Sequence, residues 1–182
     1  MGTRGRVRII GGIWRSRIIH FPAVDDLRPT PDRVRESLFN WLGQNLTGKT
    51  CLDLFSGSGA LGFEALSRGA YKVVMVEKNR QVFQALRENA QKLRAQNMEL
   101  VHADALQFLS ADRNVYHIIF LDPPFREDNL PGVLALIPPH LAEEGLVYVE
   151  SRNACNLPGW EVWRHGRAGK VNYQLLKWKQ HE

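Results

Sequence analysis

The chain has 182 residues, 44 % of them hydrophobic, with average glycine and proline content, which suits one domain with a real core and excludes fibrous or disordered classes. Its two cysteines, Cys51 and Cys155, form no CxxC pair and have no histidine cluster beside them, so neither a disulfide framework nor a zinc or other metal site is expected. The net charge of +5 is carried by residues 1–35, which hold eight arginines and three aspartates, while the other 147 residues are neutral with 16 basic and 16 acidic groups.

A basic N-terminal arm on a neutral body points to a polyanionic partner. No apolar run reaches 18 residues and no apolar stretch follows the basic start, so a cytoplasmic protein without signal peptide or membrane span is expected. In chain order, RVRII (6–10) and RIIHF (17–21) flank Gly11-Gly12 and are expected to pair as a hairpin within an arm over residues 1–30. Thr30-Pro31 has the form of a helix N-cap followed by proline at the first helical position. The helix after it places Val34, Leu38, Trp41 and Leu42 on one face and Arg33, Ser37 and Asn40 on another.

From residue 50 strands and helices alternate. Strands are expected at 50–55, 72–77, 98–104, 115–122 and 145–151, and helices at 59–68, 79–96 and 128–141. Gly69 reads as a helix C-cap. VYHIIFLD (115–122) is nearly all apolar, as a strand buried on both faces should be. WEVWRH and VNYQLLKWK form a candidate closing hairpin. Repeated strand–helix–strand units imply an α/β fold with a mostly parallel sheet covered on both faces.

Asp53-Leu54-Phe55-Ser56-Gly57-Ser58-Gly59 joins the first of these strands to its helix. Glycines there permit a tight turn and a close approach of backbone to ligand. Gly57-x-Gly59-x-x-Gly62 followed by Glu77 at the end of the next strand fits an adenosine-type cofactor, the carboxylate meeting ribose hydroxyls. Taken alone, this does not choose between NAD and S-adenosylmethionine. Asp104-Ala105 closes the third strand, where the acid either meets an adenine amino group or caps the helix starting near Ala105.

Asp122-Pro123-Pro124-Phe125 makes the choice. A base amino group is a poor nucleophile because its lone pair is delocalised into the ring. Two acceptors can turn that lone pair toward a methyl donor: the Asp122 carboxylate and the Pro123 carbonyl. Consecutive prolines hold the carbonyl rigidly. Charged acceptors strengthen as positive charge develops on nitrogen. Phe125 offers a flat face for a flipped base. A dehydrogenase has no need of this tetrapeptide. The sequence therefore reads as an S-adenosylmethionine-dependent enzyme that methylates an amino nitrogen of a nucleic-acid base.

RIIGG (8–12), RPTPDRVRE (28–36), LDLFSGSG (52–59), EALSRGA (64–70) and LDPPF (121–125) together closely resemble the bacterial ribosomal RNA small-subunit methyltransferase D family. The resemblance implies a Rossmann-like class I S-adenosylmethionine-dependent methyltransferase fold with a C-terminal antiparallel hairpin. It implies transfer to the exocyclic N2 of a guanine in 16S rRNA, in an assembled or assembling small subunit, by a monomer. The candidate cofactor contacts are Asp53, Phe55, Gly57, Ser58, Gly59, Glu77, Lys78, Asp104, Ala105 and Asp122. Asp122, Pro123, Pro124 and Phe125, the last replacing a common tyrosine, would hold the guanine. Arg4, Arg6, Arg8, Arg15, Arg28, Thr30, Arg33 and Arg35 would face RNA. Competing readings are an enzyme of the same fold acting on DNA adenine or a protein glutamine, and a non-catalytic RNA-binding module.

Overall fold

The computed structural model describes residues 4–24, 27–124 and 129–180. Strands β1 (Gly5–Arg8) and β2 (Ile18–Phe21) pair antiparallel, Arg6 opposite His20. Helix α1 (Asp32–Leu42) follows, then β3 (Thr50–Asp53), α2 (Ala60–Ser67), β4 (Lys72–Glu77), α3 (Arg80–Leu93), β5 (Met98–His102) and α4 (Ala105–Ala111). The rest is β6 (Tyr116–Leu121), α5 (Leu130–Leu136), β7 (Leu141–Ser151), β8 (Trp160–Ala168) and β9 (Val171–Trp178).

Strands β3 to β9 form one sheet in the order β5-β4-β3-β6-β7-β9-β8. The β3, β4, β5, β6 and β7 pairings are parallel, and β9 joins β7 and β8 antiparallel. Helices cover both faces, as the apolar strands demand. Val73 through Val76 are all buried, and residues 118–121 likewise. Cys51 packs with the hairpin side of the sheet and Leu52 with the α4–α5 side, the alternation a strand imposes. The chain runs outward from β3 through β4 to β5, then returns to β6 on the other side of β3. That reversal leaves a crevice between the carboxyl ends of β3 and β6, where open α/β sheets bind ligands.

Three expectations are corrected. The residues 128–141 hold a short α5 and a single 3-10 turn, Pro138–His140, because Pro138 has no N–H with which to continue the helix. Strand β7 then begins at Leu141, four residues before the expected start. The hairpin expected within the basic N-terminal segment forms, but it does not stand out as an arm: Val7, Ile9, Trp14, Ile19 and Phe21 are buried in the core shared with α2 and α3. His20 and Asn89 exchange backbone and side-chain hydrogen bonds, and Trp14 N–H donates to Ser67 Oγ at 2.9 Å. Gly12 has a φ of +80°, and an added Cβ there would meet the Ser67 carbonyl at 1.8 Å, so the turn can approach α2 only as glycine.

The docking centres on two buried charges. Glu64 on α2 has no solvent exposure and Arg35 on α1 has 1 %. Glu64 accepts from Ile10 N–H at 2.8 Å, Gly11 N–H at 3.2 Å and Arg35 Nη1 at 3.3 Å. Arg35 also donates to the carbonyls of Arg8 and Thr30, and to Asp32. Arg35 therefore does not face RNA; it satisfies a carboxylate inside the protein. Arg33, two residues earlier, points to solvent. Arg35→Ala leaves Glu64 with Arg68 as its one charged partner and leaves the Thr30 and Arg8 carbonyls without their donor, and should cost about 2–4 kcal/mol. Arg33→Ala should cost next to nothing. Denaturant unfolding of both variants checks this, and equal losses would mean that the buried pair does not hold the hairpin.

Candidate active site

The carboxyl ends of β3, β4, β5 and β6 open into a cleft of about 720 Å³. Of the candidate cofactor contacts, Asp53, Phe55, Gly57, Ser58, Glu77, Lys78, Asp104, Ala105 and Asp122 line it. Gly59 instead shapes the turn into α2: its φ is +85°, and a Cβ would lie 2.6 Å from the Phe63 ring. Pro123 and Pro124 lie on the wall beside Asp122. Phe125 falls outside the described residues.

Backbone hydrogen bonds set the glycine loop. Ser56 N–H donates to the Val76 carbonyl at 2.9 Å, tying the loop to β4. Glu77 receives Gly57 N–H at 3.1 Å on one oxygen and Asn79 N–H at 2.9 Å on the other. Its position is thus fixed from both sides, while each oxygen keeps a lone pair for a ligand hydroxyl. Asp53 accepts from Gly62 N–H at 3.1 Å and is 2 % exposed. Burial pushes its pKa up to about 7, against the hydrogen bond that favours its charge. Asp104 caps α4, its Oδ1 receiving Leu106 N–H at 2.9 Å and Gln107 N–H at 3.3 Å. The two readings of Asp104 are compatible, because the capping residue also borders the cleft.

Asp122 meets Thr30, which the motif reading assigns to RNA, and Glu150, which no motif marks. Thr30 Oγ1 lies 3.4 Å from Asp122 Oδ2 and 3.3 Å from Glu150 Oε2. Thr30 is therefore no helix cap: Pro31 occupies the cap position without a side-chain bond, and Thr30, 5 % exposed, does not face RNA as a surface residue. Glu150 is 6 % exposed and accepts from the Tyr148 hydroxyl at 2.9 Å. Burial first, then the Glu150 charge, hold the Asp122 carboxyl well above the usual carboxylate range. The sequence offers one sign of Glu150, an acid directly after the apolar run Leu146–Val149. Pairing of Leu121 with Val149 then brings it beside Asp122.

Arg28 stands exposed at the cleft wall, and Arg4, Arg6, Arg8 and Arg15 are exposed on the hairpin. Arg4 also borders a second groove, about 1030 Å³, whose opposite wall is α3 with Arg80, Arg87 and Lys92. Phe83 and His102 stack there with ring centroids 5.1 Å apart. Burial, then Lys92, Arg6 and Arg4, lower the His20 pKa, the response of an imidazole to a positive field. The thiol of Cys51 is buried and its pKa pushed up to about 12, which leaves it unreactive.

The family model described as conserved hypothetical protein 95 matches residues 7–177. The chain is 45 % identical over 179 residues to ribosomal RNA small subunit methyltransferase D of Escherichia coli, covering 95 % of this chain and 90 % of that protein. A solved structure of a candidate methyltransferase from Escherichia coli has a TM-score of 0.88 and 43 % identity, covering 97 % of this chain and 100 % of that one. A more distant candidate methyltransferase, complexed with SAH, has a TM-score of 0.70 at 17 % identity, over 87 % of this chain and 53 % of that one. At that identity it shows a shared fold alone.

Asp53 yields a pH test. Its folded pKa of about 7 lies above the unfolded value, so its protonated form favours folding. That contribution is complete below the unfolded carboxylate range near 4 and is lost as pH rises through about 7. Asp53→Asn keeps an acceptor for Gly62 N–H and cannot ionise. Its Tm should gain on the wild type by a few degrees between about pH 5 and about pH 8. A constant difference in thermal melts across that range would show that Asp53 does not titrate there.

Proposed function

The chain belongs to the ribosomal RNA small subunit methyltransferase D family, and we propose that it transfers a methyl group from S-adenosylmethionine to the exocyclic N2 of a guanine in 16S rRNA. At the coarser level it is a methyltransferase of small-subunit rRNA. The observation that carries the finer reading is the placement of Asp122-Pro123-Pro124 on the wall of the cleft that also holds the glycine loop and Glu77.

The cleft suits the cofactor. Its volume of about 720 Å³ lies in the usual range for small-molecule sites. Glu77 would accept from ribose hydroxyls, Asp104 from the adenine amino group, and Asp53 would face the charged methionine end. Phe55, Ser58, Lys78 and Ala105 would complete the wall. When bound, the cofactor supplies a methyl group on a positively charged sulfur.

The chain's own residues supply orientation and electrostatics. Asp122 and the Pro123 carbonyl accept the two N–H bonds of the guanine amino group and direct its lone pair across the crevice between β3 and β6. An ionised Asp122 also stabilises the positive charge that grows on nitrogen. Phe125 follows in the chain as the stacking surface. Neither cysteine takes part.

For the RNA, the exposed Arg4, Arg6, Arg8 and Arg15, with Arg28 at the cleft and Arg33 on α1, supply phosphate contacts, and the α3 groove extends the basic surface. The substrate is an assembled or assembling small subunit, whose shape such a fixed surface can match.

Single-turnover methylation with labelled cofactor, followed by mapping of the modified nucleoside, tests the reading. Asp122→Ala should slow transfer by about 10²-fold or more while cofactor binding persists. Glu77→Ala should weaken cofactor binding by about 1–3 kcal/mol. A wild-type rate for Asp122→Ala, or a methylated adenine, defeats the assignment. Neutralising Arg4, Arg6, Arg8 and Arg15 should lower the salt dependence of RNA binding by roughly 0.7–0.9 per lost phosphate contact. An unchanged slope would remove the hairpin from the RNA surface.

A further inference from the structure

Glu150 belongs to no motif, yet it faces Asp122 across a single hydroxyl. A threonine hydroxyl has one hydrogen to donate. Thr30 Oγ1 lies within hydrogen-bond distance of both carboxyls, 3.4 Å from Asp122 Oδ2 and 3.3 Å from Glu150 Oε2. If both acids were ionised, one carboxylate oxygen would face a lone pair of that hydroxyl. All three groups are satisfied when one proton resides on the acid pair.

The surroundings favour the same state. Tyr148 on β7 donates to Glu150, and Tyr173 on β9 lies opposite it. Asp53 at the end of β3 adds negative charge to Asp122 once it ionises, which its pKa of about 7 puts near neutral pH. Among the described residues, Lys78, Arg28 and Arg152 are the basic ones lining the cleft. The pair is a buried acid couple next to the place where the reading above puts a cationic sulfur.

We propose that Glu150 makes Asp122 responsive to the charge in the cleft: the pair sheds its shared proton when a positively charged methyl donor is bound and keeps it when the neutral product is bound. The proposal rests on the S-adenosylmethionine reading. A unit positive charge about 5 Å away, at an effective dielectric of about 20, favours the ionised pair by on the order of 100-fold. Glu150 acts here as a positioning residue. It keeps Asp122 from ionising until the donor is in place, so the amino group finds its charged acceptor only in a loaded cleft.

The protons balance over the cycle. One passes from the pair to solvent when the donor binds. At transfer the N–C bond forms, the C–S bond breaks with its electrons left on sulfur, and the amino nitrogen loses one proton, which the pair takes back. The singly protonated pair, one negative charge fewer, then holds the methylated base less firmly. The single proton that the net reaction produces thus reaches solvent at cofactor binding, before the chemical step.

Calorimetric titration of the full chain with S-adenosylmethionine and with S-adenosylhomocysteine, in phosphate and in imidazole buffer, counts these protons. Measurement near pH 6.5 stays below the α-amino range of about 7.7–8.0. S-Adenosylmethionine should release up to about one proton more than the product. In an Asp53→Asn background, where residue 53 cannot add a proton of its own, Glu150→Gln should bind both ligands, bring the difference close to zero and move the pH–rate profile to lower pH. Should that variant fail to fold, the wild-type difference followed as a function of pH decides alone: it should vanish once the free pair is already ionised. Equal proton counts for the two ligands at every pH, or a full difference in Glu150→Gln, overturn the proposal. If neither ligand binds, it is the cofactor reading that fails, and this inference falls with it.

Discussion

A carboxylate with no solvent exposure must be satisfied inside the protein, and Glu64 imposes that condition on this chain. Its partners come from three separate segments: two backbone N–H groups from the hairpin turn, Arg35 from α1, and Arg68 within 3.4 Å on its own helix. Each must arrive for the charge to be tolerable. Such a pair adds little net stability over a well-packed apolar core, but a structure missing one partner is strongly disfavoured. It therefore acts on specificity, selecting the one arrangement in which hairpin, α1 and α2 meet.

The same constraint reaches the cleft. Arg35 Nε donates to the Thr30 carbonyl at 3.1 Å, which fixes residue 30 from its backbone side. The Thr30 side chain is then left between Asp122 and Glu150. A hydroxyl alone on an entry loop would have many rotamers and neighbours. Here the loop is anchored in the core, and the distances between the acids follow from that anchor. The two halves of the molecule, a polar joint under the hairpin and an acidic cleft at the sheet's switch point, are linked by one residue.

The central sheet was legible because strands buried on both faces need apolar runs, and few other local structures do. Lys72–Glu77 emerges with its expected ends, and the glycine loop with Glu77 sits where a strand–turn–helix unit must put it. Asp122, Pro123 and Pro124 were legible because the chemistry of an amino group asks for them. What escaped depends on distant partners. Arg35 reads as one more arginine in a basic stretch until Glu64, 29 residues on, is placed beside it. Thr30 before Pro31 has every local mark of a helix cap, but tertiary partners at Asp122 and Glu150 outbid the local one. Glu150 shows in the sequence only as an acid closing an apolar run; its meaning comes from the register of β7 against β6, which no local pattern records.

The basic N-terminal segment illustrates how a fold converts composition into a surface. Along β1, Val7 is buried, while Arg6 and Arg8 face solvent, as the two-residue period of a strand requires. Burying Val7 and Ile9 against α2 and α3 therefore dictates where the neighbouring arginines point. Arg35 is withdrawn to the interior, so the field outside is made by fewer charges, held in fixed positions. A flexible arm would have to be ordered on meeting a polyanion, at a cost in conformational entropy. A docked hairpin has already met that cost through its apolar face. The residues that make the hairpin fold are thus the ones that make its basic face rigid.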